Sequence, residues 1–312
     1  MYGLGGDGFN PQAAKKIYEA KGRPSDNPLI LHISKREELD AIAARIPETA
    51  EKLMDAFWPG PMTLIFEKTK AVPYETTGGL DTVAVRMPSH EGARQLIESA
   101  GVPVAAPSAN TSGRPSPPTA EHVKEDLWGR IDMIIDGGLV GIGVESTIID
   151  VTEETPTILR PGHITKNMIA KVIGTVQMDA GLSGLDQSVK PKAPGMKYRH
   201  YAPKASMTVI QGKKEAVIRR IEELAAEYPK EKVGILAADE TLSCYTHGQV
   251  VSAGSRNEHT IEQGLYRALR EFDHMGVSVI FSESFADDDR SEAIMNRLLK
   301  AAGQKIEYLS DK

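Results

Sequence analysis

Residues 107 to 119, Pro-Ser-Ala-Asn-Thr-Ser-Gly-Arg-Pro-Ser-Pro-Pro-Thr, gather neutral hydrogen-bonding groups (Ser108, Asn110, Thr111, Ser112, Ser116) around one fixed cation, Arg114. Four prolines stiffen the stretch and remove amide donors, so its hydroxyls are held in place. The set lacks a strong base and suits recognition of a polar or anionic ligand by positioned donors. Taken alone, the same stretch could also be a surface connector.

Other charged groups stand at similar places. Lys21 and Arg23 lie two apart in a non-helical segment closed by Pro24, and could face one polyanion or stand as a solvated pair. Arg86 precedes Met87-Pro88, Arg160 precedes Pro161-Gly162, and Ser146-Thr147 open a β-branched run. His32 follows three apolar residues and could be a core histidine bonded to backbone. Together, Lys21, Arg23, Arg86, Arg114 and Arg160, with Ser108, Asn110, Ser116 and Ser146, suit a triphosphate and a small zwitterion. No nucleophile–base pair, metal cluster or carboxylate dyad is visible, and Ser146 lacks a G-x-S-x-G context. Chemistry at phosphorus can proceed by positioning and charge neutralisation without them.

The elements that must hold these groups alternate. Helices are expected at 11–20, from Ser34 with a break at Pro47 to Phe57, at 89–99 and at 119–127. The start at Ser34 reads as a capping box with Glu37. Strands are expected at 29–33, 62–67, 82–86, 102–106, 131–135 and 157–160, and within 143–151 a Gly-flanked loop leads into a strand that starts at Ser146 and Thr147. Apolar runs near 207–210, 233–237, 249–252 and 277–282 alternate with helical stretches near 213–228, 258–274 and 289–302, predicting a second, parallel-stranded α/β unit. That unit carries no G-x-G-x-x-G fingerprint. Between the units, Val189–Lys204 holds Lys190, Lys192, Lys197, Arg199 and Lys204 with no acid, and Lys197-Tyr198-Arg199-His200-Tyr201 interleaves cations with aromatics. Such a segment could serve as a linker or close over a nucleotide.

With 312 residues, 40% of them hydrophobic, the chain can bury two cores. A net charge of −6 argues against a general nucleic-acid coat. Cys244 is the single cysteine, which excludes an intramolecular disulfide and suits a reducing compartment. No membrane-length apolar run or signal-like start is seen, and a cytoplasmic location is expected.

The motifs, in order, resemble the Sua5-type threonylcarbamoyl-AMP synthases: Tyr2-Gly3-Leu4-Gly5, Lys21-Gly22-Arg23-Pro24 through Pro28-Leu29 to His32, Trp58-Pro59-Gly60-Pro61-Met62-Thr63, Val85-Arg86-Met87-Pro88, Pro107-Ser108-Ala109-Asn110, Ser146-Thr147-Ile148, Leu159-Arg160-Pro161-Gly162, and the stretch Pro194 to Pro203. The resemblance implies an α/β fold with a YrdC-like catalytic domain over 1–173, an open twisted mixed sheet with helices. A linker over 174–204 would cover the active site, and a smaller Rossmann-like parallel α/β domain, the Sua5 C-terminal domain, would span 205–312. It implies a nucleotidyltransferase that converts L-threonine, bicarbonate or CO2, and ATP into threonylcarbamoyl-AMP and pyrophosphate. Its product would pass to the tRNA threonylcarbamoyl transferase machinery for t6A modification, without stable direct tRNA binding. Mg2+ is expected with the ATP. By motif, Arg23 and Asn27 would contact ATP with Lys21 supporting the phosphates, while Asn110, Ser116 and Arg160 hold the nucleotide and Tyr201 or Tyr198 covers it. His32, Arg86, Ser108 and Ser146 would form the threonine site. In the family the Tyr-Gly-Leu-Gly motif follows a strand and a threonine-bearing turn. Met1 stands there in this chain, so that strand is expected to be missing, with an exposed sheet edge and impaired activity. A module that binds RNA without forming an adenylate is the alternative.

Overall fold

The computed structural model describes residues 1–179, 181, 201–257, 260–286 and 291–310. Tyr198 and most of the expected linker lie outside the described residues. The first unit is an eight-stranded mixed sheet of β1 (Gly6–Asp7), β2 (Ile30–His32), β3 (Met62–Glu67), β4 (Thr82–Arg86), β5 (Val104–Ala105), β6 (Thr147–Asp150), β7 (Thr157–Arg160) and β8 (Gln177–Met178). Its order is β1-β5-β2-β4-β3-β6-β7-β8, with parallel pairs at β2/β4, β3/β6 and β7/β8 and antiparallel pairs elsewhere.

Side-chain alternation explains where its site must be. Leu31, Leu64, Phe66, Val83, Val85 and Ile149 point to one face. There they meet Ala14, Ile17 and Tyr18 of α1 (Pro11–Lys21), Leu53 and Met54 of α2 (Glu48–Phe57) and Ile169 of α6 (Lys166–Ile173). The opposite face holds a smaller apolar cluster, Ile30, Ile65, Ala84, Ile148 and Leu159. With a period of two, His32, Thr63 and Arg86 fall on that second face, beyond the apolar cluster. In register, His32 is opposite Arg86 across the parallel β2/β4 ladder.

Local chemistry sets the helix ends. Asn10 caps α1 by accepting from the Gln12 amide at 2.9 Å, and Gly22 ends it in the left-handed region at φ 61°. Helices α3 (Tyr74–Thr77) and α4 (Glu91–Ala100) follow, and Thr119 caps α5 (Ala120–Leu127), accepting from the His122 amide at 3.3 Å.

The second unit is a five-stranded, all-parallel sheet of β9 (Ser206–Gln211), β10 (Val233–Ala238), β11 (Gln249–Gly254), β12 (Val279–Glu283) and β13 (Ile306–Tyr308), ordered β11-β10-β12-β9-β13. Helix α7 (Lys214–Ala225) packs on one face; α8 (Ile261–Met275) and α9 (Ser291–Ala301) cover the other.

Three local expectations change. Residues 131–135 form no strand: Met133 and Ile135 are 71% and 54% exposed, and Ile131 and Ile134 lean on the small Ala109–Val123–Leu127 cluster. Their apolar alternation found no sheet edge to join. The stretch after Ser34 is a 3-10 turn, Arg36–Ala41, separated from α2 by Pro47. Ser34 is capped by Glu38, not Glu37, its amide donating to Oε2 at 3.4 Å and its hydroxyl to Oε1.

Candidate active site

The turn after α2 builds one wall. The Trp58–Pro59 peptide is cis, Trp58 Nε1 donates to the Met62 carbonyl at 2.8 Å, and the Gly60 amide donates to the Met87 carbonyl at 2.9 Å. The Gly60 carbonyl, thus aimed, accepts from Arg86 Nε at 2.9 Å and fixes that guanidinium at the end of β4. His32 lies beside it, its Nδ1 3.1 Å from the Ile30 carbonyl. Burial, then the neighbouring Arg86 charge, hold the imidazole neutral by lowering its pKa to about 3. His32 thus bonds to backbone, on the same sheet face as Thr63 and Arg86.

Across the sheet, Ser146 precedes β6 and is buried. Its hydroxyl lies 2.7 Å from Thr63 Oγ1 and accepts from Arg160 Nη2 at 3.1 Å, while its carbonyl accepts from Arg160 Nε at 3.1 Å. Gly162 lets the chain close over this strand start: a Cβ there would lie 2.5 Å from the Thr147 amide nitrogen and 2.8 Å from the Glu145 carbonyl.

Arg23 closes its own turn by donating to the carbonyls of Asn27 at 3.2 Å and Pro28 at 3.1 Å. Asn27 is buried beside it, and its Oδ1 has no hydrogen-bond partner. The cations meet here. Burial first, and then the charge of Arg160, pull Arg23 and Arg86 down to about 10; burial also lowers Arg160, with Arg297 adding to it.

Lys21 takes a different position from a free phosphate ligand. Its ammonium, 3% exposed, donates to the carbonyls of Ser108 and Asn110, and burial, then Arg23, pull its pKa well below the ordinary value. It props the central loop from beneath. Asn110 braces the same loop, with Nδ2 donating to the carbonyls of Thr111 at 2.8 Å and Arg114 at 2.9 Å and Oδ1 accepting from Ser108 Oγ at 2.5 Å. Arg114 is taken up by ion pairs with Asp126 and, at 3.6 Å, Asp273. Ser116 is fully buried and donates to Glu145 Oε1 at 2.8 Å.

Tyr201, where the described chain resumes, is 5% exposed at φ 67°. Its ring lies 5.2 Å from that of Tyr266 on α8, tilted by 32°, and the next residue ties down the central loop, the Ala202 amide donating to the Gly113 carbonyl at 2.9 Å. Arg23 and Arg160 both act electrostatically on its hydroxyl, which burial, then Glu145, raise to about 12.

The residues missed at the sequence level come largely from the second unit. Glu145 accepts from Tyr266 OH at 2.9 Å and Arg297 Nε at 2.7 Å in addition to Ser116. Burial opposes its charge, but Arg297 and Arg160 outweigh that and hold the carboxyl at about 2. Arg270, fully buried, donates to the Pro115 carbonyl at 2.7 Å and to Asp126 at 2.9 Å. Lys300, one turn beyond Arg297, is also buried; burial, then Arg297 and Arg160, push it down to about 7. Charged residues on amphipathic helices read as solvated, and no spacing within the chain pairs α8 or α9 with residues more than 100 positions earlier.

Among the described residues no group of three or more His, Cys, Asp or Glu stands together as a metal site, and no helix is long and apolar enough to cross a membrane.

Comparison with known proteins places the chain in a family. Residues 1–162 match the Sua5/YciO/YrdC family, described as "Telomere recombination", and residues 164–303 match the threonylcarbamoyl-AMP synthase C-terminal domain. Threonylcarbamoyl-AMP synthase of Pyrococcus abyssi is 49% identical over 98% of this chain and 89% of its own length, and that of Bacillus subtilis 50% identical over 98% and 88%. The crystal structure of P. abyssi Sua5 complexed with L-threonine superposes with a TM-score of 0.94 at 48% identity, covering 99% of this chain and 90% of that one. With both domains matched along nearly its whole length, the chain belongs to the Sua5-type threonylcarbamoyl-AMP synthase family.

Proposed function

We propose that this chain is a nucleotidyltransferase that joins L-threonine, CO2 or bicarbonate, and ATP into threonylcarbamoyl-AMP with release of pyrophosphate. The observation that carries the reading is the gathering of two buried arginines, Arg23 and Arg160, with the half-buried Arg86 that the Gly60 carbonyl fixes, each lowered by withdrawal from solvent and by a neighbouring cation. The buried acid beside them, Glu145, is already bonded to Arg297. Buried, mutually repelling guanidinia call for an anion of high charge and small size, which a triphosphate supplies and an extended RNA backbone does not.

In this reading the threonine amine adds CO2 to give a carbamate, losing one proton. A carbamate oxygen attacks the α-phosphorus of ATP, and the bond to the bridging oxygen of the β-phosphate breaks, so that pyrophosphate leaves. His32, Arg86, Ser108 and Ser146 bind the amino acid: Arg86 takes its carboxylate, and the neutral imidazole of His32 accepts or donates a hydrogen bond without adding charge. Arg23, Asn27, Asn110, Ser116 and Arg160 hold the nucleotide, Asn27 Oδ1 being a buried acceptor ready for a donor such as an adenine amine or ribose hydroxyl. Tyr201 covers the nucleotide. Lys21 supports the phosphates indirectly, by holding the loop that carries Ser108 and Asn110. Catalysis rests on alignment and charge, with no protein nucleophile. Mg2+ would arrive with ATP and take its ligands from phosphates and water. The adenylate would pass to a tRNA-modifying transferase.

The test is pyrophosphate release from ATP and bicarbonate with and without L-threonine, alongside Arg23→Ala. Release that requires threonine and is lost in the variant is expected; release indifferent to threonine would refute the reading.

A further inference from the structure

The second domain has no ligand fingerprint of its own, yet it places a buried arginine beside the nucleotide residues. Arg297 is 0% exposed. Its Nε donates to Glu145 Oε2 at 2.7 Å, its Nη1 to Asn296 Oδ1 at 3.0 Å, and its Nη2 is buried with no hydrogen-bond partner. The guanidinium carbon is 5.9 Å from the centre of the Tyr201 ring. Glu145, in turn, receives Ser116 Oγ at 2.8 Å and Tyr266 OH at 2.9 Å. Tyr201 packs within the apolar cluster of the second domain, against Tyr266. The two groups that cover and brace the nucleotide, Tyr201 and Ser116, are thus held through one buried carboxylate and one buried guanidinium.

Only a bonded pair is tolerable at this depth, and breaking it leaves an uncompensated charge. The spare Nη2 is an unmet donor in a cluster whose carboxylate, Glu145, is already bonded to Nε, Ser116 and Tyr266, so it gains a partner only when an acceptor enters. The planar fork of arginine can bond Glu145 on one edge and face the ring or an acceptor with the rest; a lysine cannot do both.

We propose that Arg297 is a positioning residue of the nucleotide site contributed by the C-terminal domain, setting Ser116 through Glu145 and Tyr201 through its own guanidinium. The proposal rests on the function proposed above and deepens it: the second domain acts in ATP binding and leaves threonine binding to the first.

The test uses the full chain as wild type, Arg297→Met and Arg297→Lys, with His163→Ala as control. His163 also bridges the domains, Nδ1 lying 2.9 Å from Glu262 Oε2, but its pair is partly open to solvent. KM for ATP, KM for L-threonine and kcat are read by pyrophosphate release, ATP affinity is read independently by calorimetry, and folding by the thermal midpoint. Arg297→Met should raise KM and Kd for ATP at least tenfold with KM for threonine within twofold, Arg297→Lys should do so less, and His163→Ala should change neither KM. If Arg297→Met does not fold, Arg297→Lys decides by the same selectivity. An unchanged ATP affinity, or equal rises in both KM values, would overturn the proposal. If the wild type itself shows no threonine-dependent release, the proposed function fails, while the calorimetric comparison still decides the role of Arg297.

Discussion

Replacing Lys21 by methionine separates two roles for one cation. If Lys21 reached the phosphates, its loss would weaken ATP alone. In the structure its ammonium donates to the carbonyls of Ser108 and Asn110, and Asn110 Nδ2 bonds the next two turns of the same loop. Methionine keeps the apolar stem and removes both donations, leaving two enclosed carbonyls unmet at about 1–3 kcal/mol each. Removing a buried ammonium returns part of that, since burial disfavours its charged form. The net expectation is a loss of about 2 kcal/mol, which lowers the thermal midpoint by about 3 °C in a chain of this size. Because Ser108 serves threonine and Asn110 the nucleotide in the proposed site, a slack loop should raise both KM values together. Thermal unfolding and steady-state pyrophosphate release measure the two effects. An unchanged midpoint with a rise confined to KM for ATP would refute the loop-strut reasoning.

His32 is neutral down to about pH 3, so KM for threonine should be flat from pH 5.5 to 8, measured by release assays across that range; a break near pH 6.5 would contradict it. Its folded pKa is below the unfolded value, so its stabilising contribution is present above about pH 6.5 and is lost as the pH falls toward 3, and His32→Gln should flatten that part of a stability–pH curve. Gly143→Ala should loosen the domain interface, because a Cβ there would run into the Glu262 carbonyl and lie 2.6 Å from Gln263 Cα; protease susceptibility between the domains reports it. Ser146→Ala removes the hydroxyl shared by Thr63 and Arg160 and should cost about 1 kcal/mol of stability while raising KM for threonine more than for ATP, read by denaturant unfolding and kinetics.

Much of the frame was legible because burial has a period. Residues 62–67 and 82–86 read as strands by apolar content and alternation, and the structure places them so; Val233–Ala238, buried throughout, reads as an inner parallel strand. Thr119 and Gly22 mark helix ends by capping chemistry that needs only near neighbours. The stretch 131–135 misled because alternation says nothing about whether an edge is available. Gly6–Asp7 hid as a strand because two residues carry no pattern, and only Val104–Ala105 opposite makes them one. In the site, cations next to prolines were visible, but their partners were not. Lys21 finds carbonyls, which every residue has, and Arg114 finds Asp126 and Asp273, far along the chain. Glu145, Arg270 and Arg297 acquire meaning only when two domains close around them.

The most direct measurement is the fate of 13C-labelled bicarbonate in a reaction with ATP and L-threonine, followed by mass spectrometry. A labelled threonylcarbamoyl adduct of AMP is expected, appearing only when all three substrates are present and in step with pyrophosphate. Pyrophosphate or phosphate released with no labelled adduct, from a folded chain, would contradict the proposed function.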